Sequence, residues 1–155
     1  MDLDRGEGNG HARVESRLEV SSFLSDLRYR LNQGAKIHFQ EQRMVDNDRN
    51  IRYTNAYTIS DLFPDENPVE ALRRELLTLS PENYIQTVKD MRFPKRSEMR
   101  AFGKVYNNSD VYIKVRTELL NLKFGGEHTM FVMSFHYAEY AFSDSDFPYK
   151  TSPII

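Results

Sequence analysis

Residues 110–122 alternate apolar and polar side chains with a period of two, which is the repeat of a β-strand. One parity predicts a face that packs on a hydrophobic core: Val111, Ile113, Val115, Thr117 and Leu119. The other parity predicts an open face: Tyr112, Lys114, Arg116 and Glu118. Because a slip of one residue would exchange the two faces, the pattern requires a sheet with one buried side.

Two further strands are predicted beside this segment, at residues 99–106 and 129–136. They are joined to it by residues 107–109 and 123–126, both of which are typical of hairpin connections. A turn centred on Asn108 would pair even-numbered residues with even-numbered ones. This pairing predicts that Lys104 lies beside Tyr112 and Lys114 on the open face.

Helical repeats precede the strands. Val20, Leu24, Leu27 and Leu31 recur at helical spacing, and Gly34 follows as a stop signal. Pro68 opens a second predicted helix. Ser80 and Pro81 suit the N-cap and first turn of a third helix, which would bury Tyr84, Ile85 and Val88 and end before Phe93. Residues 36–40 are predicted to be a short strand, and residues 51–59 are aromatic and β-prone.

Helices followed by an antiparallel meander predict an α+β fold, with the helices packed on one face of a twisted antiparallel β-sheet. The 155 residues fit one domain, which we place at residues 15–150. Residues 1–14 are rich in glycine and carry no apolar repeat, so they are predicted to be a disordered leader. Residues 151–155 are assigned to a tail.

The composition excludes several classes of site. The chain has no cysteine, so disulfides, thiolate zinc sites and a cysteine nucleophile are excluded. No apolar run approaches the ~18–20 residues of a membrane span, and the polar N-terminus does not resemble a signal peptide. We therefore expect a cytoplasmic protein without a membrane partner.

The charge is distributed unevenly along the chain. The net charge is −2, yet residues 84–136 carry a balance of +4 and residues 1–83 one of −4. A basic segment in an acidic chain is typical of a surface that binds a polyanion. It is equally consistent with a solvated face whose charges pair with the acidic half, and the charge alone leaves both interpretations open.

The predicted open face carries the groups that a metal-free ribonuclease requires. Attack by a ribose 2′-hydroxyl needs a base, an acid for the leaving 5′-oxygen, and cations for the charged phosphate. The predicted catalytic residues are His136, Tyr112 and Lys104. The predicted RNA-binding residues are Lys114, Arg116, Tyr106 and Arg100. No cofactor or metal is predicted, because His128 and His136 lie too far apart on their strand to share an ion.

A plainer interpretation of the same residues is available. Exposed sheet faces ordinarily carry lysine, arginine and tyrosine, and a single histidine at a strand end is usually structural. The pattern alone therefore does not separate a catalytic face from a solvated one.

Several runs of residues, in order, resemble a family of small bacterial proteins, the MqsR toxins, over roughly residues 51–150. The most specific runs are Phe102-Gly103-Lys104, Val111-Tyr112-Ile113-Lys114 and Ser134-Phe135-His136-Tyr137-Ala138. The resemblance implies a RelE-like fold and an endoribonuclease toxin, or mRNA interferase, that cleaves messenger RNA without the ribosome. It also implies a cognate antitoxin, typically a zinc-binding, helix-turn-helix protein encoded by the adjacent gene.

The resemblance assigns the family's active-site tyrosine to Tyr112, with Lys114 two residues later, and a polar residue of the preceding strand to the region of Lys104. Two positions depart from the pattern. The basic residue after Ser-Phe, usually lysine in better-known members, is His136 here. Another lysine of the family, early in the helix after the Leu-Ser cap, falls near Gln86 and is not matched in this chain. These departures leave open a non-catalytic RNA- or protein-binding regulator on the same scaffold. An unrelated small enzyme or structural module is the third alternative.

Overall fold

A computed structural model describes residues 10–40, 50–120 and 127–151. In these ranges the chain is α+β, and its helices are α1 (Arg17–Asn32), α2 (Asn55–Leu62) and α3 (Pro68–Leu76). Its strands are β1 (Gly10–Arg13), β2 (Lys36–Phe39), β3 (Tyr84–Asp90), β4 (Met99–Tyr106), β5 (Ser109–Leu120) and β6 (Glu127–Tyr137). None of the helices in the described ranges combines the length and the apolarity needed to cross a bilayer.

The six strands form one sheet in the order β1-β3-β4-β5-β6-β2. All neighbours are antiparallel except β2 and β6, which are parallel, so the prediction of a wholly antiparallel sheet is wrong at this edge. The reason is the connection through α1, which joins the two edge strands as a helical crossover, so that β1 and β2 run in the same direction. Strand β6 also runs in the direction of β1, because four antiparallel pairings separate them.

Helix α1 is confirmed, and its sequence explains its ends. The Ser16 hydroxyl accepts a hydrogen bond from the Glu19 N–H, and the Glu19 carboxylate accepts one from the Ser16 N–H, which forms a capping box. The predicted apolar residues are buried: Val20, Leu24, Leu27 and Leu31. Gly34 adopts a φ of +83°, the left-handed conformation that favours glycine just after a helix.

Two element assignments are wrong. The predicted helix at Pro81 is a single 3-10 turn, Pro81–Asn83, followed by strand β3. Strand β3 has buried residues on both faces of the sheet. Its apolar residues therefore do not alternate with polar ones, and their spacing was mistaken for that of a helix. The β-prone residues 51–59 instead form a 3-10 turn and the start of α2. The Thr54 hydroxyl accepts a hydrogen bond from the Tyr57 N–H at 3.2 Å and caps this helix.

The predicted disordered leader is wrong for its last residues. Gly10–Arg13 form β1, which pairs with β3. An edge strand needs no apolar repeat of its own, and the Arg13 guanidinium is also held by the Glu98 carboxylate at 2.7 Å. Residues 1–9, the predicted hairpin at 123–126 and residues 152–155 lie outside the described residues.

The register of β4 and β5 differs from the prediction. Asn107 and Asn108 have φ angles of 51° and 66°, so they form a two-residue turn in which both residues are left-handed. Tyr106 therefore pairs with Ser109, and Lys104 pairs with Val111. Even-numbered residues pair with odd-numbered ones, so Lys104 lies on the opposite face of the sheet from Tyr112.

The helix face of the sheet is the side on which all three helices pack. The alternation in β5 is confirmed there, because Val111, Ile113 and Val115 are buried in the main core with residues of α1, α2 and α3. We call the opposite side the outer face. A smaller cluster lies on it, with Ile85, Ala101 and Tyr112 packed against Phe142 and Phe147 of the chain that follows β6.

Candidate functional site

The outer face brings Tyr112 and His136 together. They are directly opposite each other on β5 and β6, and their ring centroids are 5.6 Å apart. His136 is half-buried, and its Nδ1 lies 2.9 Å from the carbonyl oxygen of Tyr137. Since a carbonyl only accepts hydrogen bonds, Nδ1 carries the proton and Nε2 is the nitrogen that can take up another. This arrangement places a potential acid or base against a phenol.

Two cationic side chains continue the same face along β5. Lys114 is opposite Ser134, and Arg116 is opposite Phe131, whose ring centroid lies 4.2 Å from the guanidinium carbon. Arg116 also forms an ion pair with Glu118. The prediction of an open face is wrong here, because only 1 % of Lys114 and 7 % of Arg116 is exposed.

Tyr112 is covered by the chain that follows β6. Only 5 % of it is exposed, because Phe142 and Phe147 pack on its cluster and meet each other edge to face at 5.4 Å. Gly103 makes this packing possible: a Cβ atom there would lie 2.6 Å from Cε2 of Phe142. Beside this cover is a cleft of about 240 Å³, lined by Gly103, Lys104, Asp110, Phe142, Phe147 and Lys150, among others.

Helix α2 holds the backbone on both sides of His136. The Asn55 side chain accepts a hydrogen bond from the Phe135 N–H at 3.0 Å and donates one to the Met133 carbonyl at 3.1 Å. The Thr58 hydroxyl accepts a hydrogen bond from the Tyr137 N–H at 2.9 Å. Strand β2 ends at Phe39, opposite Val132, so α2 takes over the hydrogen bonds that a longer β2 would have made.

The register of β6 shifts near this support. Lys114 pairs with Ser134 but Val115 pairs with Val132, which leaves Met133 as an extra residue in β6. The shift is what keeps Lys114 and Ser134, as well as Tyr112 and His136, on the outer face together.

The sequence analysis missed the roles of Asn55 and Thr58, because it placed them in a β-prone segment. The signal that could have identified their helix was Thr54, which caps its first turn.

Lys104 and Tyr106 lie on the helix face. The Lys104 ammonium donates a hydrogen bond to the Thr78 hydroxyl at 2.6 Å, and the Tyr106 hydroxyl donates one to the Glu75 carboxylate at 2.8 Å. Burial is the largest cause that raises the pKa of Tyr106 above its usual range, and the hydrogen bond to Glu75 raises it further. The predicted grouping of Lys104 with Tyr112 and His136 is therefore wrong, because the asparagine turn sets a register that separates them.

Arg100 is also on the helix face, in a buried polar cluster under α1. Its Nε lies 2.8 Å from the Glu15 carboxylate, and the guanidinium carbon lies 4.5 Å from the Phe23 ring centroid. Thr87 also donates to that carboxylate, at 2.5 Å. Burial alone would raise the pKa of Glu15, but these hydrogen bonds and the charges of Arg100 and Arg13 outweigh it and hold the pKa below its usual value. Arg100 joins elements of the fold and is not part of the outer-face site.

Beside His136, the Tyr137 hydroxyl donates a hydrogen bond to the Asp61 carboxylate at 2.5 Å. Burial, together with this carboxylate, raises the pKa of Tyr137 to about 12, so the phenol stays protonated at neutral pH. Among the described residues, no group of three or more histidine, aspartate or glutamate side chains is arranged to hold a metal ion.

Comparisons of the chain with protein-family models, with curated proteins and with solved structures found no match in any of the three.

Proposed function

We propose that this chain is an endoribonuclease toxin that cleaves messenger RNA without a metal ion and without the ribosome. The observation that carries the proposal is the cross-strand pair of Tyr112 and His136, with Lys114 and Arg116 on the same face of the sheet. The α+β layout is consistent with the RelE-like fold that the sequence resemblance implies. The proposal includes a cognate antitoxin, of the zinc-binding helix-turn-helix type, as the neutralising partner.

In the proposed reaction, Nε2 of His136 accepts the proton of a ribose 2′-hydroxyl. The 2′-oxygen then bonds to the adjacent phosphorus, and the bond between phosphorus and the 5′-oxygen breaks. Tyr112 donates a proton to the leaving 5′-oxygen, which gives a 2′,3′-cyclic phosphate and a 5′-hydroxyl end. Lys114 and Arg116 stabilise the extra negative charge on the phosphate oxygens as the 2′-oxygen attacks.

RNA cannot reach Tyr112 in the conformation described, because Phe142 and Phe147 cover it. The proposal therefore requires that these two side chains move away from Tyr112 when RNA binds. Half-buried His136 is the part of the pair that RNA would meet first.

The second candidate is a non-catalytic binding regulator on the same scaffold. The burial of Lys114 and Tyr112 favours it, since buried side chains bind no phosphate without a rearrangement. The two candidates differ in whether RNA is cut.

The test incubates the purified chain with RNA in the presence of EDTA. We expect His136→Ala to slow cleavage by about 10²–10⁴-fold, the contribution of a general acid or base, and Tyr112→Phe to slow it as well. His11→Ala is the matched control, because His11 is exposed on β1 at the far edge of the sheet and should leave the rate unchanged.

Growth arrest on expression, relieved by the product of the neighbouring gene, would support the toxin assignment in cells. Intact RNA in every reaction, together with undiminished affinity for a partner protein, would favour the regulator instead.

A further inference from the structure

The loop between β3 and β4 combines positive charge with exposed apolar side chains. We call residues 91–97 the basic loop; all seven are exposed. The loop contains Arg92, Lys95 and Arg96 and no acidic residue. Phe93 is 44 % exposed and Met91 54 %, so the loop presents two large apolar side chains next to its cations.

The Phe93 ring lies among guanidinium groups. The guanidinium carbon of Arg96 is 4.0 Å from the ring centroid, and that of Arg92 is 6.0 Å from it. Arg92 is also held by the Asp90 carboxylate, with Nη2 and Oδ2 3.0 Å apart. Aromatic rings and guanidinium planes are the two protein surfaces on which unpaired bases stack, and the cations offer contacts to phosphates.

The basic loop lies beside β5, toward the end of the strand that is farther from Tyr112. The Ser97 hydroxyl donates a hydrogen bond to the Thr117 carbonyl at 2.7 Å, which fixes this end of the loop to the strand. Thr117 is five residues from Tyr112 on β5, a distance of about 17 Å along a strand. Lys114 and Arg116 lie between these two positions. A short extended stretch of single-stranded RNA would cover that length.

We propose that the basic loop binds single-stranded RNA, with a base stacked at Phe93 and phosphates held by Lys95 and Arg96. The inference rests on the proposed function, since the strand it binds is the one whose cleavage is assigned to Tyr112 and His136. Charge complementarity favours a polyanion, and the exposed ring favours one with planar bases over an acidic peptide. The loop thereby anchors substrate at a distance from the reacting phosphate.

The test measures binding of a fluorescein-labelled 2′-O-methyl RNA of about 12 nucleotides by fluorescence anisotropy over a range of KCl concentrations. This RNA lacks a free 2′-hydroxyl, so its binding is measured without cleavage. We expect Phe93→Ala to weaken binding about 5- to 100-fold, as for the loss of one stacked base, and Phe93→Tyr to retain it. Arg96→Ala and Lys95→Ala should each reduce the slope of log K against log salt by about 0.7.

Matched controls lie on α1, which packs on the helix face of the sheet. Tyr29 is 60 % exposed and Arg17 is exposed, so Tyr29→Ala and Arg17→Ala remove the same kinds of side chain without touching the loop. The inference is overturned if Phe93→Ala binds as tightly as Tyr29→Ala. It is also overturned if the loop variants lose affinity for polyglutamate but keep their affinity for RNA, because the loop would then bind acidic protein.

The experiments can contradict the proposed function and the proposed role of the basic loop independently of each other. If the wild-type chain leaves RNA intact but binds 2′-O-methyl RNA through Phe93, the proposed function falls and the loop inference stands. If the wild type cleaves RNA and Phe93→Ala changes neither binding nor cleavage, the loop inference falls alone.

Discussion

Polar side chains on the two faces of the sheet are held by different kinds of contact. On the helix face, Arg100 and Tyr106 bind carboxylates from distant parts of the chain, Glu15 and Glu75. On the outer face, Tyr112 and His136 meet across adjacent strands, and aromatic side chains from the following segment cover Tyr112. The first kind of contact joins α3 and the segment before α1 to strand β4, and the second depends on strand register and on the packing of Phe142 and Phe147. We therefore expect substitutions on the helix face to change stability and, under the proposed function, substitutions of Tyr112 and His136 to change activity.

The comparison is tested most strongly at Glu15, whose removal leaves Arg100 partly buried beside Phe23 without its carboxylate. We expect Glu15→Ala to lower the free energy of unfolding by about 3–5 kcal/mol, the usual effect of removing one partner of a buried ion pair. Guanidinium denaturation measures this change. Glu98→Ala is the control, because its ion pair with Arg13 is more exposed and should contribute only about 0–1 kcal/mol. Equal losses of unfolding free energy in the two variants would show that the buried ion pair of Glu15 contributes no more to stability than the exposed one of Glu98.

The core of the helix face is tested at Ile113, which is 1 % exposed. Ile113→Ala should lower the free energy of unfolding by about 2–5 kcal/mol, because it leaves a cavity against the helices. Val105→Ala is the control on the same sheet: Val105 is 63 % exposed, so its truncation should change stability by less than about 0.5 kcal/mol. An unaltered denaturation midpoint for Ile113→Ala would contradict the register of β5.

The cover of the outer face is tested at Gly103. Gly103→Ala places a Cβ atom against the Phe142 ring, and we expect a loss of about 1–3 kcal/mol from overpacking. Phe142→Ala in the same chain should recover part of that loss, because it removes the atoms that clash. A double-mutant cycle measures the coupling. Additive effects of the two changes would show that Phe142 does not pack against Gly103 in solution.

The smallest expected effect is on the pH dependence of stability. The pKa of Glu15 in the folded chain lies below its usual value of 4.5, so its ionised form stabilises the fold above that pH. This contribution is lost as the pH falls through the folded pKa. Glu15→Gln should therefore flatten the decline of stability at acid pH, as measured by urea denaturation between about pH 5 and pH 3. If the stability of Glu15→Gln falls as steeply with pH as that of the wild type, carboxylates other than Glu15 cause the loss of stability in acid.

The sequence predicted the parts of the fold that follow from a local repeat. The alternation at Val111, Ile113 and Val115 identified the core face of β5, and the helical spacing from Val20 to Leu31 identified α1. The register between β4 and β5 could not be read in this way. It depends on the left-handed conformations of both Asn107 and Asn108, and a turn of one more residue would have grouped Lys104 with Tyr112.

The site was predicted in part for the same reason. Alternation identified the face of Tyr112, but the shared face with His136 depends on the register shift at Met133, which no repeat in β6 indicated. Their surroundings are made by residues remote in sequence: Phe142 and Phe147 pack on the cluster of Tyr112, and Asn55 and Thr58 bond to the backbone on both sides of His136. No local pattern connects those residues to β5 or β6, and so the burial of the outer face was not foreseen.

The contacts from α2 also have a consequence for how other chains approach this molecule. Past the end of β2, the backbone of β6 would be an open edge, and open edges recruit strands from other chains, leading to aggregation or to partners that add a strand. The side chains of Asn55 and Thr58 already bond to the N–H groups of Phe135 and Tyr137. A visiting strand cannot pair with these two N–H groups, and we therefore expect a protein that blocks His136 to bind from the outer face and not by extending the sheet.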